Sequence, residues 1–189
     1  MILCNMLLDE LPTTTPNGYK IETNFRNVIK FELLMQDRGL TIEEKTSLSL
    51  QLFYNKIENI EKQIEDIIWF YQCGKNNKKT SQQNKRKEDI QIYSYEFDDT
   101  YIYSAFLQQY NIDLINTKYM HWWKFKSLFE SLNKDTRIVE IMGYRGVKLN
   151  DFKDDKAMYK FYKKMKKIYA LPDMRTEEEK EADFAEQLW

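Results

Sequence analysis

Apolar side chains recur at intervals of three and four along most of the chain, which is the period of an amphipathic helix. Phe25, Val28, Ile29 and Leu33, with Phe31 and Leu34 slightly offset, follow it behind a capping Asn24, and Gly39 is expected to close that helix. Thr41-Ile-Glu-Glu44 is a capping-box pattern for a second helix running to about Tyr54. Leu50, Phe53, Ile57, Ile60, Ile64, Ile67 and Tyr71 continue the alternation of three and four. Two readings of this run are open. It is one unbroken helix with a heptad seam for self-association, or two core helices parted between Asn55 and Asn59, the second ending at Cys73-Gly74.

Farther along, Tyr93, Tyr95 and Phe97 alternate with polar residues and predict a short strand or extended lead-in. Asp98 or Asp99 is placed to cap a helix over 101–110, and Asn116 or Thr117 to cap the next. In that next helix Trp122, Phe125, Phe129 and Leu132 share a face expected to point inward, flanked by His121 and Leu128. Trp123 lies on the flank opposite His121, so its exposure decides whether it can anchor a partner. Asp135 or Thr136 starts a helix expected to stop near Gly143, with Met142 to Gly146 forming a compact turn. A lysine-rich helix covers roughly 154–170 and ends before Pro172, and a final acidic helix begins at Thr176.

The period breaks in two places. Asn17-Gly18 followed by alternating Tyr19 and Ile21 predicts a small β-hairpin over Thr13 to Ile21, which Pro16 confines to an edge. Residues 74–89 contain no apolar side chain, and they predict a mobile polar linker. The expected fold is therefore all-α or nearly so, a multi-helix domain with a minor N-terminal hairpin. Its parts are 1–73, the linker 74–89 and a helical part 90–189, forming one structural unit.

Composition changes this picture little. Hydrophobic residues at 42% and charged residues at 31% fit a globular chain, and no apolar run reaches the roughly 20 residues of a membrane span. The apolar start, Met1 to Leu8, has no basic segment before it, and Asp9 and Glu10 follow at once, so no export signal is expected. Cys4, Cys73 and a single histidine offer neither a disulfide framework nor a zinc site, which points to a reducing compartment. Five glycines and three prolines favour long helices over turn-rich folds.

Net charge is −1, too little for bulk attraction to nucleic acid, but the charge is unevenly spread. Residues 153–169 hold seven lysines and two aspartates, and residues 176–189 hold six acidic residues and one lysine. In the lysine-rich helix Met158, Phe161, Tyr162, Met165, Ile168 and Tyr169 form an apolar stripe, with Lys156, Lys160, Lys163, Lys164 and Lys167 around it. Three readings compete: a core helix with a solvated lysine face, a nucleic-acid or membrane-surface helix, and a docking helix for an acidic partner. The acidic segment is itself such a partner.

No residue pattern calls for catalysis. His121 has no recognisable nucleophile or orienting carboxylate beside it in sequence and reads as structural. Asp98-Asp99 and Asp154-Asp155 sit at helix starts, where the helix dipole favours negative charge. Gly143 to Gly146 lacks the lysine and hydroxyl residue of a phosphate loop. No catalytic, cofactor-binding or metal residue is assigned. The candidate partner-binding residues are Trp123, Lys156, Lys160, Lys163, Lys164 and Lys167.

Several strings occur together in one order: Leu7-Leu8-Asp9 with Leu11-Pro12, Asn24 to Asp37, Ile68-Trp-Phe-Tyr-Gln-Cys-Gly74, Ala105 to Tyr110, His121-Trp-Trp-Lys-Phe125, Ile141-Met-Gly-Tyr-Arg145 and Phe161 to Pro172. In these the chain resembles the bacteriophage gene-product-fifteen family of tailed phages and prophages of Gram-positive bacteria. The resemblance implies a gene in the tail module near the tape-measure gene. It implies a non-enzymatic tail assembly chaperone in the host bacterial cytoplasm that binds the tape-measure protein or tail-tube subunits. The alternative is a nucleic-acid-binding module using the lysine-rich helix and the linker.

Overall fold

Side-chain acceptors at the capping positions set most helix starts. The structure, a computed structural model, describes residues 5–75 and 90–173. Asn24 Oδ1 accepts from Arg26 N and opens α1 (Phe25–Gln36). Thr41 and Glu44 form the reciprocal capping box of α2 (Ile42–Phe53), and Asn59 caps α3 (Ile60–Tyr71). Next come α4 (Asp99–Tyr110), α5 (Trp122–Glu130) and α6 (Arg137–Gly146). A short 3-10 helix, Leu149–Phe152, leads into α7 (Lys156–Ile168), where Asp155 accepts from Ala157 N and Met158 N. Helices are the regular secondary structure of the described residues, with no sheet among them, as the apolar period predicts.

The run from Leu50 to Tyr71 is two helices. Gln63 braces the break: its Oε1 accepts from the backbone of Glu58 and Asn59, and its Nε2 donates to Lys56 O. A continuous heptad seam is excluded, because Ile57 lies in the connection and Ile60 is 56% exposed, whereas Leu50, Phe53 and Ile67 enter the core. The expected hairpin is only a chain reversal. Gly18 takes a φ of 88° and Thr14 and Lys20 form one antiparallel bridge, with no strand around it. Tyr93 and Tyr95 are likewise not in a strand; both rings pack on Phe129 from an irregular segment.

Three further boundaries differ from expectation. α1 stops at Gln36, three residues before Gly39, where the Asp37 carboxylate accepts from Gly39 N. α6 does not stop at Gly143 but continues to Gly146. α5 starts at Trp122, capped by His121, because Asn116 and Thr117 are bonded into a turn with Asp113. The expected linker beyond Lys75 and the expected acidic helix lie outside the described residues.

The N-termini of α1 and α5 meet through their capping residues. Asn24 and His121 form an antiparallel bridge in which Phe25 N donates to Met120 O at 2.9 Å and Trp122 N donates to Thr23 O at 2.8 Å. Each helix thus satisfies one otherwise unpaired N–H of the other. Below this joint, Phe125 stacks between Phe25 and Phe106, with ring centroids 4.7 and 5.0 Å away, so α1, α4 and α5 converge on one ring. The buried cluster around it draws on residues from both sides of 76–89, from Ile21 through Phe70 and from Tyr95 through Ile138.

Candidate interaction surface

α7 lies at the edge of this core and contributes nothing to its buried cluster. It packs chiefly against α6 and the 3-10 helix. Tyr144 of α6 is the centre of the contact, stacking on Tyr169 at 5.7 Å and meeting Phe161 and Tyr162 edge-on or tilted at 6.1 and 6.3 Å. Phe152 covers the other side of Tyr162 at 4.5 Å. Lys166 Nζ donates to Val147 O at 2.8 Å, which fixes the third turn of α7.

The end of α7 is held by a buried ion pair. Arg145 Nη1 and Nη2 donate to the two carboxylate oxygens of Asp98 at 2.5 and 2.9 Å, and both side chains are almost wholly buried. The same guanidinium donates to Ile92 O and, through Nε, to Tyr169 O at 2.6 Å. One arginine therefore ties α6, the start of α4, the chain after 89 and the exit of α7 together. Neither member stood out in the sequence: Asp98 read as a cap and Arg145 as part of a turn. Asp98 makes no side-chain cap bond; its Oδ2 also accepts from Ser94 N. A signal did exist, since Ile138, Ile141 and Arg145 fall at helical spacing and put the arginine on the buried face, where a cation needs an anion.

The outer face of α7 is open. None of its residues is fully buried, and Met158, Phe161 (42% exposed) and Ile168 (55% exposed) present apolar surface. Lys156, Lys160, Lys163, Lys164 and Lys167 are exposed, with no ion-pair partner among the described residues; Lys163 Nζ sits over the Tyr159 ring at 6.0 Å. The structure thus brings five of the six candidate partner-binding residues onto one helix.

The sixth, Trp123, is elsewhere. It is 1% exposed, packed against Trp69 and Phe70, with its indole N–H donated to Phe70 O at 2.9 Å. The condition for a surface anchor is not met, because the ring fills the end of α3. The inward face expected for Trp122, Phe125, Phe129 and Leu132 is observed. His121 is buried beside them: Nδ1 accepts from Trp123 N at 3.1 Å and Nε2 lies 3.0 Å from Pro12 O. Both ring nitrogens are engaged in holding backbone, and burial lowers the imidazole pKa. Burial also pushes the Cys73 thiol up to about 11, which keeps it in the unreactive protonated form at neutral pH.

A groove lies between α1, α4 and the loop before α5. It measures about 520 Å³ and is lined by Phe25, Ile29, Ile102, Leu114, Ile115 and Phe125. Arg26 closes one side, donating to the carbonyls of Thr117, Leu114 and Ile115. Tyr95, Asp99, Thr100 and Tyr103 add polar groups to its otherwise apolar wall.

The fold is thus an aromatic helical core with a cationic, amphipathic helix at its edge. The chain belongs to the bacteriophage Gp15 protein family, whose sequence model matches residues 7–171, from the first described loop to the exit of α7. No curated protein and no solved structure matches the chain.

Proposed function

We propose that this phage protein is a non-enzymatic tail assembly chaperone of the host bacterial cytoplasm, binding the tape-measure protein or tail-tube subunits during assembly and then leaving. The observation that carries the reading is the placement of α7: an amphipathic helix fixed at its exit by Arg145 yet open along Met158, Phe161 and five lysines. Family membership supplies the phage setting. An open apolar stripe rimmed by cations suits reversible docking of a helical client, with apolar contact giving affinity and charge giving orientation and rate.

The test is reciprocal co-purification of the protein with the tape-measure and tail-tube proteins of the same phage, with electron microscopy of particles from a deletion mutant. The reading expects a complex with at least one tail protein and absent or misassembled tails. No complex, together with normal tails, overturns it.

A further inference from the structure

We infer that in the free protein the open face of α7 is covered by the chain's own acidic segment, residues 176–189, which a client must displace. Three observations meet here, and none depends on what the client is.

The first is charge. α7 carries six lysines and no acidic residue; none of the six has an anionic partner among the described residues, and Lys166 alone is bonded, to the Val147 carbonyl. Segment 176–189 carries Glu177, Glu178, Glu179, Glu181, Asp183 and Glu186 against Lys180 alone. Like charges crowded along one helix repel, and neutralisation from outside relieves that.

The second is apolar pattern. Phe184 and Leu188 are four apart, which puts them on one face of a helix, with Trp189 beside Leu188. They match the exposed Met158, Phe161 and Ile168 in kind.

The third is reach. Arg145 holds Tyr169 O, and Pro172 prevents α7 from simply continuing, so the chain turns at a fixed point. Residues 169–175 are long enough for a helix-to-helix connection. The 13 residues of α7 span about 20 Å, and 14 residues of a returning helix span about the same. A segment tethered this closely acts at an effective concentration in the millimolar range, so modest contacts suffice to keep the face covered.

The full-length chain decides this. Unlabelled and ¹⁵N-labelled protein are mixed at low concentration and treated with a carbodiimide, which joins lysines to carboxylates in contact. The expected products are amide links between the α7 lysines and Glu177 to Glu186 within one isotopic species, lost in 1 M salt, where the screening length falls to about 3 Å. In parallel, hydroxyl-radical labelling of Met158 and Phe161 is compared between the wild type and the variant Glu177→Lys, Glu178→Lys, Glu179→Lys, Glu181→Lys. Labelling is expected to rise several-fold in the variant, while Trp122 and Trp123 stay protected. Mixed-isotope links alone would assign the face to a second copy and overturn the proposal. Unchanged labelling of Met158 and Phe161 overturns it whatever the links show.

Discussion

Trp122 and Trp123 donate their indole N–H groups to consecutive carbonyls at the end of α3, Tyr71 O at 3.0 Å and Phe70 O at 2.9 Å. The end of a helix leaves carbonyls without partners and concentrates negative partial charge there. Two adjacent tryptophans on α5 supply two donors at once, and Lys126 Nζ approaches the same Tyr71 carbonyl at 3.5 Å. The Phe70 carbonyl has another partner, Cys73 N, whereas among the described residues the Tyr71 carbonyl has only the distant lysine besides Trp122.

Trp122→Phe and Trp123→Phe remove the same volume and the same donor, so their difference reports the carbonyl left behind. Trp122→Phe is expected to be the more costly, by about 1 kcal/mol of hydrogen-bond loss. Urea unfolding of the two variants measures it; equal costs, or the reverse order, would contradict this accounting.

Gly74 follows the same helix end, at φ 73°, and a Cβ there would come within 3.0 Å of the Trp123 ring. Gly74→Ala therefore combines left-handed backbone strain of roughly 1–2 kcal/mol with displacement of a buried indole. A lowered melting temperature with perturbed near-ultraviolet tryptophan signals is expected.

Asp98 and Arg145 form the buried pair that locks α6 to the exit of α7. Asp98→Ala leaves the guanidinium without its anion and is expected to cost about 3–5 kcal/mol, whereas Asp98→Ala with Arg145→Met restores part of the loss by removing the stranded charge. Arg145→Lys is not a mild change, since a lysine cannot serve two carboxylate oxygens and two carbonyls from one planar group. A double-mutant cycle that shows simple additivity would contradict the pairing.

Much of the helical framework was legible because it depends on local chemistry. Asn24, Thr41, Asn59 and Asp155 cap where a short polar acceptor precedes an apolar period. What escaped depends on distant partners. His121 caps α5 although imidazole is an unusual cap, because its other nitrogen is held by Pro12, 109 residues away. Tyr93 and Tyr95 alternate like a strand, yet burying two aromatic rings on Phe129 requires no strand partner. The lysines of α7 were legible as a group, but their openness was not, since the same stripe would serve a core helix equally well. Trp123 shows the converse: its flank position allowed exposure, and only the arrival of α3 buries it.

Acidification provides a test of the His121 cap. Nδ1 accepts from Trp123 N, so the capping form is the neutral imidazole with its proton on Nε2, toward Pro12 O. Burial holds the folded pKa below the usual value near 6.5, so around that pH the unfolded chain binds the extra proton more readily. Stability attributable to this group is full above about pH 6.5 and declines as pH falls through the window between the unfolded and folded pKa values. Burial raises the Glu32 pKa, and that group acts in the opposite sense, gaining stability as pH falls through its folded value. The histidine contribution is therefore read as the difference between wild type and His121→Asn, which keeps an acceptor at the cap but does not titrate there. The wild type is expected to lose more stability than His121→Asn between pH 7.5 and 5.5; parallel curves would contradict the assignment.

The proposed role rests on α7 as the docking surface, and one binding measurement addresses it directly. The tape-measure and tail-tube proteins are titrated against the wild type and against a variant with Lys156→Gln, Lys160→Gln, Lys163→Gln, Lys164→Gln and Lys167→Gln, which leaves Arg145, Lys166 and the core intact. The account predicts salt-sensitive binding of a tail protein by the wild type and affinity at least about tenfold weaker in the variant, a loss of roughly 1.4 kcal/mol or more. Equal binding by the two proteins, or no binding of either tail protein by the wild type, would contradict it.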